Sequence, residues 1–381
     1  MTHSLSTRAV HAGRDDLLDL GVHAPPLDLS TTYPAVDCGL EADRIAAFAA
    51  GGQPPGSPLY SRLHNPTVAR FETAIAALET ADAAVAFGSG MAALSACLLA
   101  VAHAGRPHVV AVRPLYGGSD HLLNSGLLGT SVDWVEPEGV AAAIRPDTGL
   151  VVIETPANPT LVEIDIAKLA EDCGNVPLLV DNTVATPVLQ RPIEHGAAVV
   201  VHSATKFLGG HGDVLGGVVC CAEEFAARVR QIRVVTGAVL HPLGGYLLHR
   251  GLTTLPLRVR AQQATAEELA RRLGEHDRVA RVYYPGLDRD RPKQMDGGGA
   301  LLSFDVTGDA ARVVSAVRLV TPAVSLGSVD TLIQHPASLT HRVVDEIDRE
   351  AGGVTSAMLR LSIGLEDVDD LWADLERALA A

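Results

Sequence analysis

Short apolar runs alternate with small-residue turns and helical segments between about residues 80 and 225. Runs rich in Val, Leu and Ile, without polar alternation, are typical of parallel strands covered on both faces. The segments Met91–Ala104 and Ile166–Cys173 predict crossover helices between such strands. This region therefore predicts an α/β fold with a mostly parallel sheet. Its predicted strands are Ala83–Phe87, His108–Val112, Leu150–Glu154, Pro177–Val180, Ala197–Val201 and Leu215–Cys220.

The pattern changes on both sides of this region. The first 55 residues, with Pro25-Pro26 and Pro54-Pro55, predict an irregular N-terminal arm. After about residue 245, two amphipathic helices and two strands predict a smaller α+β domain with an antiparallel sheet, in which Ala300–Val306 alternates like a half-exposed strand. We therefore expect an arm over 1–55, a large domain over 56–244 and a C-terminal domain over 245–381. The predicted C-terminal elements are Ala261–His276, Ala300–Val306, Met358–Ile363 and Asp367–Ala380.

Composition narrows the class of protein. A formal net charge of −15 disfavours a nucleic-acid or anionic-membrane partner. No apolar run approaches the roughly 18 residues of a membrane span, and Met1–Gly13 has no signal-peptide core. The five cysteines are odd in number and irregularly spaced, so they predict no disulfide framework. We expect a cytoplasmic enzyme that acts on a small molecule.

One lysine stands out by its position. Of three lysines, Lys206 follows the apolar run Ala197–Val201 and precedes a Gly-rich turn. Burying an ammonium is unfavourable and lowers its pKa, which makes the amine a usable base and a nucleophile towards carbonyl groups. Lys168, in a helical stretch, and Lys293, in a polar loop, are expected to face solvent. Lys206 is the candidate catalytic residue.

A turn in Phe87-Gly-Ser-Gly-Met91 connects a predicted strand to a predicted helix. Free backbone N–H groups and the positive end of the helix dipole favour an anion at such a turn. A plain structural turn is the alternative reading for so short a motif. The turn lacks the third glycine and the ribose-binding acid of a dinucleotide fingerprint, so a nicotinamide-dependent dehydrogenase is disfavoured.

Further polar and aromatic residues follow neighbouring strands. Asp181 ends a strand, where side chains of parallel sheets reach the ligand crevice, although a turn cap is an alternative. Ser203 and Thr205 supply hydroxyls beside Lys206, and Tyr116 supplies an aromatic ring beside two glycines, although a surface turn is an alternative there. An anion site, an amine, an acid and a flat ring together match pyridoxal 5′-phosphate, with its phosphate, aldehyde and ring nitrogen.

The chain resembles the Cys/Met-metabolism family of pyridoxal-phosphate enzymes, which includes cystathionine γ-synthase, cystathionine γ-lyase and methionine γ-lyase. The resemblance covers nearly the whole chain and implies a fold-type I, aminotransferase-like architecture. Its motifs are Tyr60-Ser-Arg-Leu-His-Asn-Pro-Thr67, Gly88-Ser-Gly-Met-Ala-Ala93, Leu115-Tyr-Gly-Gly118, Glu154-Thr-Pro-Ala-Asn-Pro-Thr160, Asp181-Asn-Thr183, Ser203-Ala-Thr-Lys206, Ser325-Leu-Gly327, His335-Pro-Ala-Ser-Leu-Thr-His341 and Leu359-Arg-Leu-Ser-Ile-Gly-Leu-Glu366.

The resemblance implies a role for each site residue. Lys206 would bind the cofactor aldehyde covalently, Asp181 would pair with the pyridine nitrogen, and Tyr116 would stack on the ring. Asn158 would contact the ring hydroxyl, and the phosphate would be held by Gly90, Met91, Ser203 and Thr205. Ser89 is also expected among the cofactor-binding residues.

Other implied roles concern the substrate and a second subunit. Arg360, assisted by Ser325, would bind the substrate α-carboxylate through its planar guanidinium. Tyr60 and Arg62 would reach the phosphate of a neighbouring subunit. The resemblance thus implies a homo-oligomer with active sites shared across a dimer interface, usually paired into a homotetramer.

In the family's shared chemistry, the substrate amino group displaces Lys206 from the cofactor, and the freed amine then removes the α-proton. A second proton leaves the β-carbon, and a sulfur group at the γ-carbon is expelled with proton help from Tyr116. A lyase then releases a 2-oxo acid and ammonia, whereas a synthase adds an incoming thiol. The motifs Gly210–Asp213, Thr236–Pro242 and Ala323–Gly327 resemble those of γ-lyases more than those of synthases.

Several positions depart from the methionine γ-lyase pattern and put strict methionine specificity in question. Gly118 stands where methionine γ-lyases carry Cys, Arg233-Val234 replaces a Lys-Asp pair, and Asp330 replaces a Glu. The expected activity is α,γ-elimination of cystathionine or a related sulfur amino acid, methionine included. The alternative is a cystathionine γ-synthase acting on an activated homoserine ester.

Two other classes fit the residues less well. A zinc hydrolase would need ligands such as His202, His211 and Asp213, but their spacing matches no metal motif, and no metal is expected. A non-catalytic protein on the same fold would be expected to lack Lys206, Asp181 or Arg360, and all three are present.

Overall fold

The computed structural model describes residues 3–35, 37–287, 294–342 and 344–381. Lys293 and its predicted polar loop, 288–293, lie outside the described residues. The helices are α1 (Leu5–His11), α2 (Cys38–Ala49), α3 (Pro66–Glu79), α4 (Gly90–His103), α5 (Gly117–Ser125), α6 (Val140–Ala143), α7 (Ile166–Cys173), α8 (Thr186–Leu189), α9 (Glu223–Thr236), α10 (Pro242–Leu252), α11 (Leu255–Gly274), α12 (Ala310–Ala316), α13 (Glu346–Ala351) and α14 (Val368–Leu379).

The strands form two sheets. Their bounds are β1 (Ala83–Phe87), β2 (His108–Val112), β3 (Ser131–Val135), β4 (Thr148–Glu154), β5 (Leu178–Asp181), β6 (Val199–His202), β7 (Gly217–Cys221), β8 (Val279–Tyr283), β9 (Leu301–Val306), β10 (Thr321–Pro322), β11 (Leu332–Gln334) and β12 (Met358–Ser362). A seven-stranded sheet has the order β1-β7-β6-β5-β4-β2-β3, and a five-stranded sheet has the order β10-β11-β12-β9-β8.

The larger sheet is mostly parallel, as predicted. Strand β7 runs antiparallel to its neighbours β1 and β6, and the remaining pairs are parallel. Successive residues of a strand are buried on opposite faces of the sheet. Val109 of β2 packs in the cluster that contains Leu98 of α4, and Val110 packs in the cluster that contains Leu169 of α7. Coverage on both faces explains why these strands read as continuous apolar runs.

The register places the ends of three parallel strands beside one another. Glu154 at the end of β4 is paired with Asp181 at the end of β5, and Asp181 is paired with Val201 near the end of β6. Because these strands are parallel, the segment Ser203–Lys206 that follows β6 emerges at the same edge as the two carboxylates. The sheet therefore gathers the candidate residues at one crevice.

Two expectations about secondary structure are wrong. The first 55 residues are not irregular throughout, because they contain α1 and α2, capped by Ser4 and Asp37. Strand β9 is not half-exposed: it lies inside the five-stranded sheet, with Leu302 facing the C-terminal core while Leu301 packs in the core of the larger sheet. Both faces of this strand are buried because the smaller sheet packs against the large domain.

Candidate active site

A cavity of about 390 Å³ opens at the carboxyl ends of the parallel strands. It contains most of the residues singled out in the sequence, from both sheets. The described lining residues include Ser89, Gly90, Met91, Tyr116, Asn158, Asp181, Ser203, Thr205, Lys206, Ser325 and Arg360, together with Leu94, Ser119, Glu154, Thr183, Val184, Leu215, Val324, Leu326 and Thr340. The topology thus brings together residues as far apart in the chain as Ser89 and Arg360.

The turn before α4 forms one end of this cavity. Ser89 caps the helix, its Oγ accepting a hydrogen bond from the Ala92 N–H at 3.1 Å. Gly90 approaches the next segment so closely that a Cβ there would lie 2.8 Å from Ser203 Cβ. The first N–H groups of a helix have no acceptor within the helix, so Gly90 and Met91 line an end of the cavity that favours an anion.

Ser203 and Thr205 lie beside this turn, held by backbone contacts. The Ser203 N–H donates to Thr183 Oγ1 at 2.8 Å. The Thr205 hydroxyl donates to the Gly216 carbonyl at 3.1 Å and accepts from the Gly216 N–H at 3.0 Å. Thr205 therefore also joins the turn after β6 to the start of β7.

Lys206 is largely buried in this cavity. Its Nζ donates to Ser325 Oγ at 2.7 Å. Burial, and secondly the charge of Arg360, lower the pKa of Lys206 to about 8. A substantial fraction of the amine is consequently neutral near physiological pH, as a base or a nucleophile requires. Lys168, by contrast, is exposed and pairs with Asp172, as expected of a solvent-facing lysine.

Ser325 adopts an unusual backbone conformation to make this contact. Its φ is +102°, a region that favours glycine and is costly for other residues. Two residues later, Gly327 comes so close to the lysine segment that a Cβ would lie 2.4 Å from the Phe207 backbone nitrogen. The loop of the smaller sheet is thus held against the lysine turn.

Two carboxylates face the cavity from neighbouring strands: Glu154 is buried and Asp181 is partly buried. Asp181 Oδ1 accepts from the Thr183 N–H at 3.0 Å and from the Thr183 hydroxyl at 2.5 Å. Glu154 accepts from the backbone N–H of Tyr116 at 2.5 Å and of Asn158 at 2.8 Å. Burial raises the pKa of Asp181, and burial together with the charge of Asp181 raises the pKa of Glu154. A positively charged partner would therefore stabilise the ionised form of Asp181 in this cavity.

Arg360 is 2% exposed and has neutral hydrogen-bond acceptors. It donates to Asn158 Oδ1 at 2.8 Å and to the Ser325 carbonyl. With its amide oxygen turned towards the guanidinium, Gln334 accepts from both terminal nitrogens of Arg360 at 2.9 and 3.2 Å. Burial lowers the pKa of Arg360 to about 9. No carboxylate among the described residues is bonded to Arg360, and such a buried cation is suited to bind a substrate carboxylate.

Tyr116 lies at the mouth of the cavity, 39% exposed. Its ring packs over Gly118, where an added Cβ would lie 2.6 Å from Tyr116 Cε1. Gly118 departs from the methionine γ-lyase pattern. Because it has no side chain, it permits the observed position of the Tyr116 ring.

Tyr60 and Arg62, unlike the other predicted site residues, lie away from the cavity. Neither is among the described residues that line the cavity. Arg62 lies over the Tyr60 ring, 5.4 Å from its centroid, and donates to the Val234 carbonyl at 2.7 Å. Tyr60 is 44% exposed. The two residues form a surface pair outside their own chain's cavity.

Comparison with known proteins decides the family. Residues 6–380 match the family described as Cys/Met metabolism PLP-dependent enzyme. The chain belongs to this family. Within it, the chain is 65% identical over 377 residues to an L-methionine gamma-lyase of Streptomyces avermitilis, covering 99% of this chain and 89% of the relative. It is 55% identical over 385 residues to an L-methionine gamma-lyase of Brevibacterium sandarakinum, covering 98% and 97%.

Solved structures of Cys/Met metabolism enzymes share the fold. A cystathionine gamma-lyase from Micromonospora echinospora superimposes with a TM-score of 0.88 at 39% identity, covering 100% of both chains. A cystathionine gamma-synthase from Xanthomonas oryzae pv. oryzae superimposes with a TM-score of 0.90 at 34% identity, covering 100% of this chain and 98% of that one. The protein is a fold-type I, pyridoxal-phosphate-dependent carbon–sulfur lyase, and its closeness to the lyases disfavours the synthase alternative.

The cavity suits the family's cofactor. The first residues of α4, Gly90 and Met91, line the cavity, and the free N–H groups of this helix N-terminus favour a phosphate. The partly buried carboxylate of Asp181 suits a protonated ring nitrogen, and the amine of Lys206 suits an aldehyde.

Among the residues that were given no role from the sequence, Glu154, Thr183 and Gln334 make hydrogen bonds to residues of the site. Glu154 lies within a family motif, but its contacts are to backbone N–H groups that only the folded chain brings near. Gln334 meets Arg360 because β11 and β12 pair in register at these two residues.

Proposed function

We propose that the protein cleaves L-methionine by α,γ-elimination with uptake of water, releasing methanethiol, 2-oxobutanoate and ammonia. Support comes from the similarity to L-methionine gamma-lyases over nearly the whole chain. The cavity adds independent support, because its exposed rim includes the apolar residues Leu215 and Val324. A methyl thioether suits such a rim, whereas the distal amino and carboxylate groups of cystathionine would find no charged partner among the exposed lining residues that the structure describes.

In this proposal, pyridoxal phosphate supplies, when bound, an electron sink for the negative charge that develops on the substrate carbons. Arg360 binds the α-carboxylate and orients the Cα–H bond. Lys206 Nζ takes the α-proton, aided by its lowered pKa, and a second proton leaves Cβ before the γ-sulfur departs. Asp181 holds a positive charge on the ring side of the cavity, and the Tyr116 hydroxyl protonates the departing thiolate. Asn158 and the residues of the phosphate end keep the reacting groups aligned.

We also infer a shared-site oligomer. Tyr60 and Arg62 would contact the phosphate in a neighbouring subunit, giving a dimer that pairs into a homotetramer. Their position outside their own cavity and the exposure of Tyr60 support this. The two separate sheets support the division into 1–55, 56–244 and 245–381.

The cytoplasm is the proposed location, supported by five free cysteines. No described helix has the length and apolar character to cross a membrane.

A product survey tests the substrate proposal. Purified holoenzyme is incubated separately with L-methionine, with L-cystathionine, and with an activated homoserine ester plus cysteine; methanethiol, cysteine and cystathionine are the products measured. We expect the highest kcat/KM for methanethiol release, and none from the Lys206→Ala variant. Faster release of cysteine from cystathionine would make that compound the substrate, as the similarity to a cystathionine gamma-lyase structure allows. Faster formation of cystathionine would overturn the lyase assignment.

A further inference from the structure

A buried carboxylate joins two loops of the site. Glu154 ends strand β4, and its two oxygens accept hydrogen bonds from different segments: Oε2 from the Tyr116 N–H at 2.5 Å, and Oε1 from the Asn158 N–H at 2.8 Å. Tyr116 lies in the loop after β2, and Asn158 in the loop after β4. One side chain thus fixes the separation of the two loops.

We propose that Glu154 is a positioning residue, whose carboxylate bridges the Tyr116 and Asn158 loops and thereby sets the ring of Tyr116 and the amide of Asn158 against the cofactor. The inference rests on the roles proposed above for Tyr116 and Asn158. Glu154 acts through those residues and not on the reacting atoms.

Burying the Glu154 carboxylate costs free energy, which indicates that its hydrogen bonds to the Tyr116 and Asn158 N–H groups are important. Glu154 is buried, and no ion pair among the described residues includes it. It also faces Asp181, its register partner on β5, and both burial and that charge raise the pKa of Glu154. The two backbone N–H groups oppose that rise by stabilising the ionised form, which accepts at both oxygens.

The bridge extends to the substrate end of the cavity. Asn158 Oδ1, placed by the bond from its own N–H to Glu154, accepts from Arg360 Nη1 at 2.8 Å. Arg360 in turn donates a hydrogen bond to the carbonyl of Ser325, and the Ser325 hydroxyl accepts a hydrogen bond from the Lys206 amine. A displaced Glu154 would therefore disturb both the ring contacts and the orientation of Arg360.

The test uses Glu154→Gln and Glu154→Asp in the holoenzyme. Glutamine turns an NH₂ group towards one of the two N–H donors, and aspartate is one methylene too short to reach both loops. The matched control is Asp374→Asn, which removes another buried carboxylate that accepts backbone N–H bonds, here from residues 318–320, and does not line the cavity.

Three quantities are measured for each variant: the thermal midpoint, the visible circular dichroism of the bound cofactor, and kcat and KM for L-methionine. For both Glu154 variants we expect an altered dichroism and a kcat about 10²-fold lower, the loss typical of a misplacement of about 1 Å. Asp374→Asn should lower the thermal midpoint while leaving kcat and dichroism unchanged.

Wild-type kcat and dichroism in Glu154→Gln would overturn the inference, whatever its thermal midpoint. If that variant does not fold, Glu154→Asp decides in the same way, and failure of both to fold would make the residue structural and overturn it too. A wild-type enzyme inactive on methionine would instead refute the proposed substrate, and the dichroism would still test Glu154.

Discussion

The lowered pKa of Lys206 predicts unusual reactivity of this amine in the cofactor-free enzyme. A pKa of about 8, against 10.5 for an ordinary lysine, leaves the amine mostly protonated at pH 7 but far less so than usual. The neutral fraction at pH 7 is then about one tenth, roughly 300-fold more than at the ordinary value. Burial is the larger cause and the charge of Arg360 the smaller. Lys206 should therefore acylate at a pH where an exposed lysine barely reacts.

Competitive labelling with an amine-selective acylating reagent, followed by peptide mass spectrometry, measures this directly. Lys168, exposed and paired with Asp172, is a reference on the same molecule. Half-maximal labelling of Lys206 is expected near pH 8. The variant Arg360→Leu should raise that midpoint only in part, because burial remains. A midpoint near 10.5 in the wild type would refute the reasoning, and complete recovery of that value in Arg360→Leu would refute the ranking of the two causes.

Three further substitutions test the geometry of the site. Arg360→Lys should raise KM for the amino acid about tenfold or more, since an ammonium cannot make two parallel bonds to a carboxylate; an unchanged KM in steady-state kinetics would contradict the carboxylate role. Gly118→Ala should lower kcat with normal cofactor content, because its Cβ would lie 2.6 Å from the Tyr116 ring; wild-type kcat would show that the ring position is unimportant. Ser325→Gly should be more stable than Ser325→Ala by about 1 kcal/mol, because both lose the hydroxyl but only glycine relieves the positive φ; equal unfolding free energies in denaturant titrations would contradict the strain.

The sequence by itself predicted the parts of the fold that follow from local physics. Continuous apolar runs identified the parallel strands because such strands are covered on both faces, and the predicted helix Ile166–Cys173 matches α7. The edge strand β3 was missed, since its half-exposed residues Ser131–Val135 carry no such run. The predictions of an irregular arm and of a half-exposed β9 were wrong because both depend on distant segments. Helix α1 packs in the core of the larger sheet, α2 packs against α9, and both faces of β9 are covered.

The candidate site likewise has features that the sequence predicted and features that only tertiary packing determined. Residue type and placement after a strand were enough to single out Lys206 and Asp181, because a lysine or carboxylate at a strand's carboxyl end reaches the crevice of a parallel sheet. Tertiary structure alone decided that Glu154 bridges two loops, that Gln334 meets Arg360, and that the Tyr116 ring lies over Gly118. These contacts depend on strand register and on distances of a few ångströms between segments far apart in the chain, which local composition does not encode.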